Sequence, residues 1–256
     1  MMRKIYDLTC SNFGTVSKHK YDLAILPWGA TEPHNLHLPY LTDSILSHEV
    51  AVRAAEMAFE KHGVRCMVLP PVNFGSQNPG QQDLTFCIHS RYETQKCILE
   101  DVVYSLERQG ISRLLIINGH GGNNFRNMIR DLYCTYPDFL IASSEWFKAC
   151  KASEYFENPG DHADELETSV MMYCHPELVN LDEAGEGKSG GFAPKMLREG
   201  KVWIPRNWSK VSEDTGIGNP AKATAPKGEA FMKAVVAEYA DFLKDFSCKE
   251  LYIKLY

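Results

Sequence analysis

Glu32, His34, His37 and Asp43 stand within one short run, Gly29-Ala-Thr-Glu-Pro-His-Asn-Leu-His-Leu-Pro-Tyr-Leu-Thr-Asp43. Residues two apart in an extended segment point the same way, so Glu32 and His34 converge on one side of the chain. A carboxylate beside an imidazole is a ligand set for zinc, manganese or iron. Asp43 taken alone reads as a carboxylate favoured by the positive end of a helix dipole. Taken with its three neighbours, directly after an apolar run, it reads as part of a metal site.

A second group of candidates lies in Asn118-Gly-His120-Gly-Gly-Asn123-Asn124. Glycines on both sides of His120 let the backbone turn sharply and leave the imidazole exposed. A phosphate-binding loop is the competing reading, but the run lacks both the lysine of a P-loop and the G-x-G-x-x-G spacing. A third group is Asp161-His162-Ala-Asp164-Glu165-Leu-Glu167-Thr-Ser169. In isolation it reads as a solvated, capped start to a helix that runs from there to about Tyr173.

Together these segments resemble the creatininase family (creatinine amidohydrolase and its relatives). The family's Glu-x-His-x-x-His-Leu-Pro loop with a following Asp stands here as Glu32 to Pro39 with Asp43. Its Asn-Gly-His-Gly-Gly-Asn loop stands at 118–123 and its His-Ala-x-Glu-x-Glu-Thr-Ser element at 162–169. Its closing Gly-x-x-Gly-x-Pro-x-x-Ala-Thr segment is similar to the stretch from Gly216 to Gly228. The likeness covers nearly the whole chain, in the right order.

The resemblance implies a metal-dependent amidohydrolase acting on non-peptide C–N bonds of an amide or cyclic amide. It implies two divalent ions, zinc or manganese with iron as an alternative. Glu32, Asp43 and His120 would hold one, and His34 and Asp43 the other, with Asp43 bridging. For the fifth ligand, creatininase has a glutamate where this chain has Gly122, which argues against creatinine as the substrate. Other members draw on the Glu-Thr-Ser element, which points to Glu167, with Glu165 as the fallback. His37 is expected to orient a ligand. A hydroxide bridging the ions would attack the carbonyl carbon. His162 is the candidate to pass a proton to the leaving nitrogen, with Asp161 or Asp164 to orient it. The stretch Gly75-Ser-Gln-Asn78-Pro-Gly80-Gln-Gln-Asp83-Leu departs from the family's Gly-x-Ser-x-x-His segment and implies an altered pocket. That alteration keeps a non-catalytic, formamide-specific or peptide-specific member as the alternative.

The elements that must position these groups alternate along the chain. Tyr21–Gly29, Val64–Leu69, Arg113–Ile117 and Phe139–Ser143 read as buried strands, and Thr42–His62, Arg91–Gln109 and Phe125–Tyr136 as helices. Such alternation predicts an α/β three-layer sandwich around a mostly parallel sheet, with ligands bound beyond the carboxyl ends of its strands. Glu32 and His120 both follow a strand directly and so belong on that rim. The stretch 184–227, rich in glycine and carrying Trp203 and Trp208, predicts a long irregular excursion. Helix returns over Pro226–Lys244, and Leu251–Tyr256 reads as a short terminal strand. One domain over 1–256 accommodates all of this.

Composition excludes several classes. A net charge of −6 leaves no basic footprint for nucleic acid. The apolar runs are too short for a bilayer, and the start lacks a signal-peptide core. Eight scattered cysteines without a C-x-x-C pair predict free thiols in a reducing cytoplasm. The expected partner is a small-molecule amide, and the resemblance implies a homo-oligomer, often a hexamer.

Overall fold

The computed structural model describes residues 5–248 and 250–253. Strands β1 (Leu23–Trp28), β2 (Cys66–Val68), β3 (Arg113–Asn118) and β4 (Leu140–Glu145) form one sheet in the order β2-β1-β3-β4. Every pairing in it is parallel. The long helices are α1 (Thr42–His62), α2 (Tyr92–Arg108), α3 (Arg126–Thr135), α4 (Glu165–Cys174) and α5 (Ala225–Ser247).

Both faces of the sheet are covered, and the side-chain alternation of β1 and β3 shows how. Leu23 and Ile25 of β1 and Leu115 and Ile117 of β3 pack with Leu46, Val50, Val170, Phe231, Val235 and Leu243 from α1, α4 and α5. Their neighbours Ala24, Leu26, Leu114 and Ile116 face the other way, onto Leu99, Val103, Met128 and Leu132 of α2 and α3. All six residues of β1 are therefore buried, which is why the run is continuously apolar instead of alternating. Burial of each large aliphatic side chain contributes about 1.5–3 kcal/mol to the layer packing.

The chain leaves β1 through α1 on one face to reach β2. It then crosses to the far side of β1 through α2 on the other face. The strand order thus reverses between β1 and β3, and a crevice opens beyond their carboxyl ends. Helix α1 stops at Gly63, whose φ of +72° ends it in a left-handed cap.

Two expectations need correction. Helix α4 opens at Glu165, not at Asp161, because Asp164 takes the N-cap and accepts a hydrogen bond from Glu167 N. Ahead of the cap, Ala163 holds a φ of +50°, and His162 pairs backbone to backbone with Ile217 of the excursion. At the carboxyl end, residues 251–253 form no strand, and the last three residues of that expectation lie outside the described residues. Within the excursion, short turns such as Lys195–Arg198 and Trp208–Val211 interrupt the irregular path. Among the described residues no helix is long and apolar enough to cross a membrane.

Candidate metal centre

Three turns meet in the crevice. The loop after β1 brings Glu32 and His34, and Asp43 follows in the first turn of α1. The loop after β3 brings His120, and the turn into α4 brings His162 and Glu167. The close approach of the first two is possible because residue 119 is glycine: a Cβ there would lie 2.3 Å from Asp43 O. Glu32 and His34 are fully buried, and Asp43, His120 and His162 nearly so. Asp43 does not cap its helix, for the N-cap position is Leu41, which makes no side-chain bond there.

The ring contacts follow one rule. His34 Nδ1 bonds Glu32 O at 3.0 Å, His120 Nε2 bonds Ser76 O at 2.8 Å, and His162 Nε2 bonds Pro33 O at 2.8 Å. Each carbonyl can only accept, so each of these nitrogens donates and the neutral ring's other nitrogen is left with a lone pair. Those second nitrogens all face carboxylates. His34 Nε2 lies 2.9 Å from Asp43 Oδ1. His120 Nδ1 lies 2.9 Å from Glu32 Oε1 and 3.2 Å from Asp43 Oδ2. His162 Nδ1 lies 3.7 Å from Glu32 Oε1.

Lone pairs facing carboxylate oxygens repel unless a cation or protons lie between them. Glu32 Oε1 and Asp43 Oδ2 are buried and find no hydrogen-bond partner among the described residues, a costly state for a carboxylate with no cation beside it. Ligand atoms about 2.1 Å from one ion stand about 3–3.4 Å from each other, close to the separations here. Among the described residues three groups bring their donor atoms within 4.8 Å of one another: Glu32, Asp43 and His120; His34, Asp43 and Glu167; and Glu32, His34 and His162. Asp43 belongs to two of them, and so do Glu32 and His34. The donor set therefore fits divalent ions held by nitrogen and oxygen, with His–carbonyl bonds fixing each ring.

The electrostatics agree. Burial lowers His34, but the Asp43, Glu167 and Glu32 carboxylates together outweigh it and push the imidazole up to about 10. Burial likewise opposes protonation of His120, yet Glu32 raises it well above its usual value. Burial favours the neutral acid at Glu167 and, with Asp43 nearby, pushes it up to about 8 despite the opposing pull of His34. These are the responses of a site with more negative charge than its own cations balance.

The remaining sequence candidates divide. Glu165 points away: its carboxylate accepts from Lys227 Nζ at 2.5 Å and from Asn158 N at 2.7 Å. His37 stands outside all three groups and bonds Thr168 Oγ1 at 2.8 Å, beside Glu167. Neither Asp161 nor Asp164 orients His162. Asp161 pairs with Arg206, Asp164 caps α4, and the Pro33 carbonyl holds the ring instead. At Gly122 a Cβ would lie 2.1 Å from Ser76 O, so the carbonyl that orients His120 occupies the space a side chain there needs.

Sequence reasoning missed Ser76 and Gln81. Ser76 acts through its backbone, which no residue type signals. Gln81 donates its amide to Glu32 Oε2, and the unusual segment it lies in was the available clue. A cavity of about 690 Å³ opens over the centre, with Trp203, Arg206 and Trp208 in its wall. Trp208 sets its ring edge-on to His162 at 5.3 Å, whereas Trp203 is 79% exposed.

Comparison with known proteins places this geometry in context. The creatininase family model, described as creatinine amidohydrolase, matches residues 6–243. A Bacteroides fragilis NCTC 9343 protein of known crystal structure, provisionally called a creatinine amidohydrolase, is 58% identical with a TM-score of 0.96. That match covers 98% of this chain and 99% of the other. A manganese form of creatininase is 22% identical with a TM-score of 0.76, over 94% of this chain and 98% of its own. A Zn–Zn form of a creatininase variant gives 22% and 0.75, over 93% and 96%. The mycofactocin precursor peptide peptidase of Mycobacterium ulcerans (strain Agy99) is 29% identical over 221 residues, 83% of this chain and 80% of its own length.

Proposed function

This chain belongs to the creatininase family, and from that premise we propose that it hydrolyses a C–N bond of an amide or cyclic amide at a pair of divalent ions. The observation that carries the reading is the pair of buried oxygens Glu32 Oε1 and Asp43 Oδ2, without a hydrogen-bond partner among the described residues and both facing His120 Nδ1 across about 3 Å. Glu32, Asp43 and His120 hold one ion in this reading, and His34, Asp43 and Glu167 the other. Zinc or manganese suits the set and is what the related creatininase structures carry.

Bound divalent ions supply what no side chain in the cavity supplies: they bring the pKa of water down towards about 7 and polarise a carbonyl oxygen. The chain's own residues do the rest. His162 has its imidazole value lowered, by burial first and by the nearby His34 second, so Nδ1 is free to take a proton at neutral pH. It then delivers that proton to the leaving nitrogen. Pro33 O keeps the ring in the tautomer this requires, and Trp208 packs against the ring in a T-shaped contact at 5.3 Å.

Cavity size favours a second reading of the substrate. About 690 Å³ is within the range of sites for drug-sized ligands, about 300–1,000 Å³, and larger than a single lactam ring needs. Short peptides are therefore the alternative substrate class, in keeping with the mycobacterial relative, a mycofactocin precursor peptide peptidase. Hydrolysis of a panel of lactams, linear amides, formamides and short peptides, with zinc or manganese and with chelator, tests both readings. Metal-dependent turnover of any member supports the hydrolase reading, and the preferred member selects the class. No turnover of any by the fully loaded protein overturns it.

A further inference from the structure

The strap over residues 75–84 supplies two of the contacts that shape the centre. Ser76 O holds His120 Nε2 at 2.8 Å. Gln81, 1% exposed, lies further along the strap and donates Nε2 to Glu32 Oε2. Its own Oε1 accepts from Asn78 N at 3.3 Å. That second bond fixes which end of the carboxamide faces the carboxylate. Turned over, oxygen would meet oxygen at Glu32 and an NH2 group would meet the N–H of Asn78.

Glu32 consequently has its two oxygens in different states. Oε2 is engaged by Gln81, while Oε1 makes no hydrogen bond and faces His120 Nδ1. A carboxylate can ligate a cation through one oxygen or through both. Oε2 is turned to Gln81, and Oε1 is the oxygen that faces the histidines of the cluster. The strap is itself anchored: Gln81 N bonds Asn78 O at 3.1 Å across a turn with Gly80 at a φ of +79°, and Trp208 N bonds Pro79 O at 2.7 Å.

We infer that Gln81 is a positioning residue that confines Glu32 to one-oxygen coordination and so sets the ligand geometry shared by Glu32, Asp43 and His120. The inference rests on the reading of Glu32 as a ligand. It gives the departure of this strap from the family pattern a purpose at the metal centre in addition to any effect on the pocket.

Cobalt(II) is the probe, because its visible absorption weakens as coordination number rises. The wild type, Gln81→Met and, as a control, Gln82→Ala on the exposed side of the strap are titrated with Co2+ under equilibrium dialysis. Gln81→Met is expected to bind one Co2+ about 10- to 100-fold more weakly and to lose visible absorption per ion, while Gln82→Ala matches the wild type. Should Gln81→Met fail to fold, judged by circular dichroism of the metal-free protein, Gln81→Leu carries the same comparison. Wild-type affinity and an unchanged spectrum in the folded Gln81 variant overturn the inference while leaving the metal centre standing. If the wild type binds no Co2+ at all, the reading of the centre falls first and this inference falls with it.

Discussion

Nδ1 of His120 lies 3.2 Å from Oδ2 of Asp43, an oxygen with no other polar partner among the described residues. The two residues arrive from different loops, one after β3 and one at the start of α1. Their side chains meet because Gly119 lets the β3 loop rest on the backbone of Asp43.

Metal uptake should release protons. His34 is raised from 6.5 to about 10 and Glu167 from 4.5 to about 8. Both folded values exceed the unfolded ones. Their contributions to the stability of the metal-free protein are thus full below the unfolded values and lost as pH rises through about 8 and about 10. Ligands must lose these protons to bind. Zinc titration at pH 7 in buffers of different ionisation enthalpy is expected to show more than one proton released per chain, with affinity rising towards pH 8. Proton-neutral binding contradicts this.

The two glutamates of α4 should separate cleanly. Glu167→Gln is expected to lose one ion, because its carboxylate belongs to the His34–Asp43 group. Glu165→Gln should keep both ions and instead cost about 1–3 kcal/mol of stability, since it weakens a buried carboxylate's pairing with Lys227. Metal analysis beside thermal unfolding distinguishes them, and the reverse pattern reassigns the ligand.

His162→Ala should lower kcat by about 10²- to 10⁴-fold with both ions retained. Loss of an ion in this variant makes His162 a ligand, as its grouping with Glu32 and His34 also allows.

Adjacent glycines offer a control within one loop. Gly122→Ala drives a methyl group to 2.1 Å from Ser76 O, whereas nothing lies within 4 Å of the corresponding position at Gly121. The first substitution is expected to cost about 1–3 kcal/mol and to weaken metal binding by displacing the carbonyl that orients His120. The second should be nearly silent. Equal effects in a thermal melt contradict the role given to Ser76 O.

Much of this was legible in the sequence where one residue type has one use. The boundaries of α1, Thr42 to His62 with Gly63 behind it, follow from apolar spacing and a left-handed stop. The β1 and β3 runs read as buried strands because a two-faced parallel sheet needs no polar alternation. The opening of α4 was misplaced since Asp161 and Asp164 are equally good caps on paper. Only the backbone pairing of His162 with Ile217, from a distant loop, excludes the earlier start. What draws the Glu165 carboxylate away from the cluster is Lys227, far along the chain. The holding groups escaped notice for a related reason: Ser76 works through a carbonyl, and Gln81 gains its meaning only when the strap folds back onto Glu32.

Counting ions in the purified protein and in two variants tests the central claim most directly. Metal analysis of the wild type loaded with zinc or manganese and then dialysed should give two ions per folded chain. Asp43→Ala, which removes the carboxylate common to both proposed positions, should give close to none, and His120→Ala no more than one. Full two-ion occupancy in both folded variants would mean that these residues do not hold the metal, and the account of the centre would be wrong.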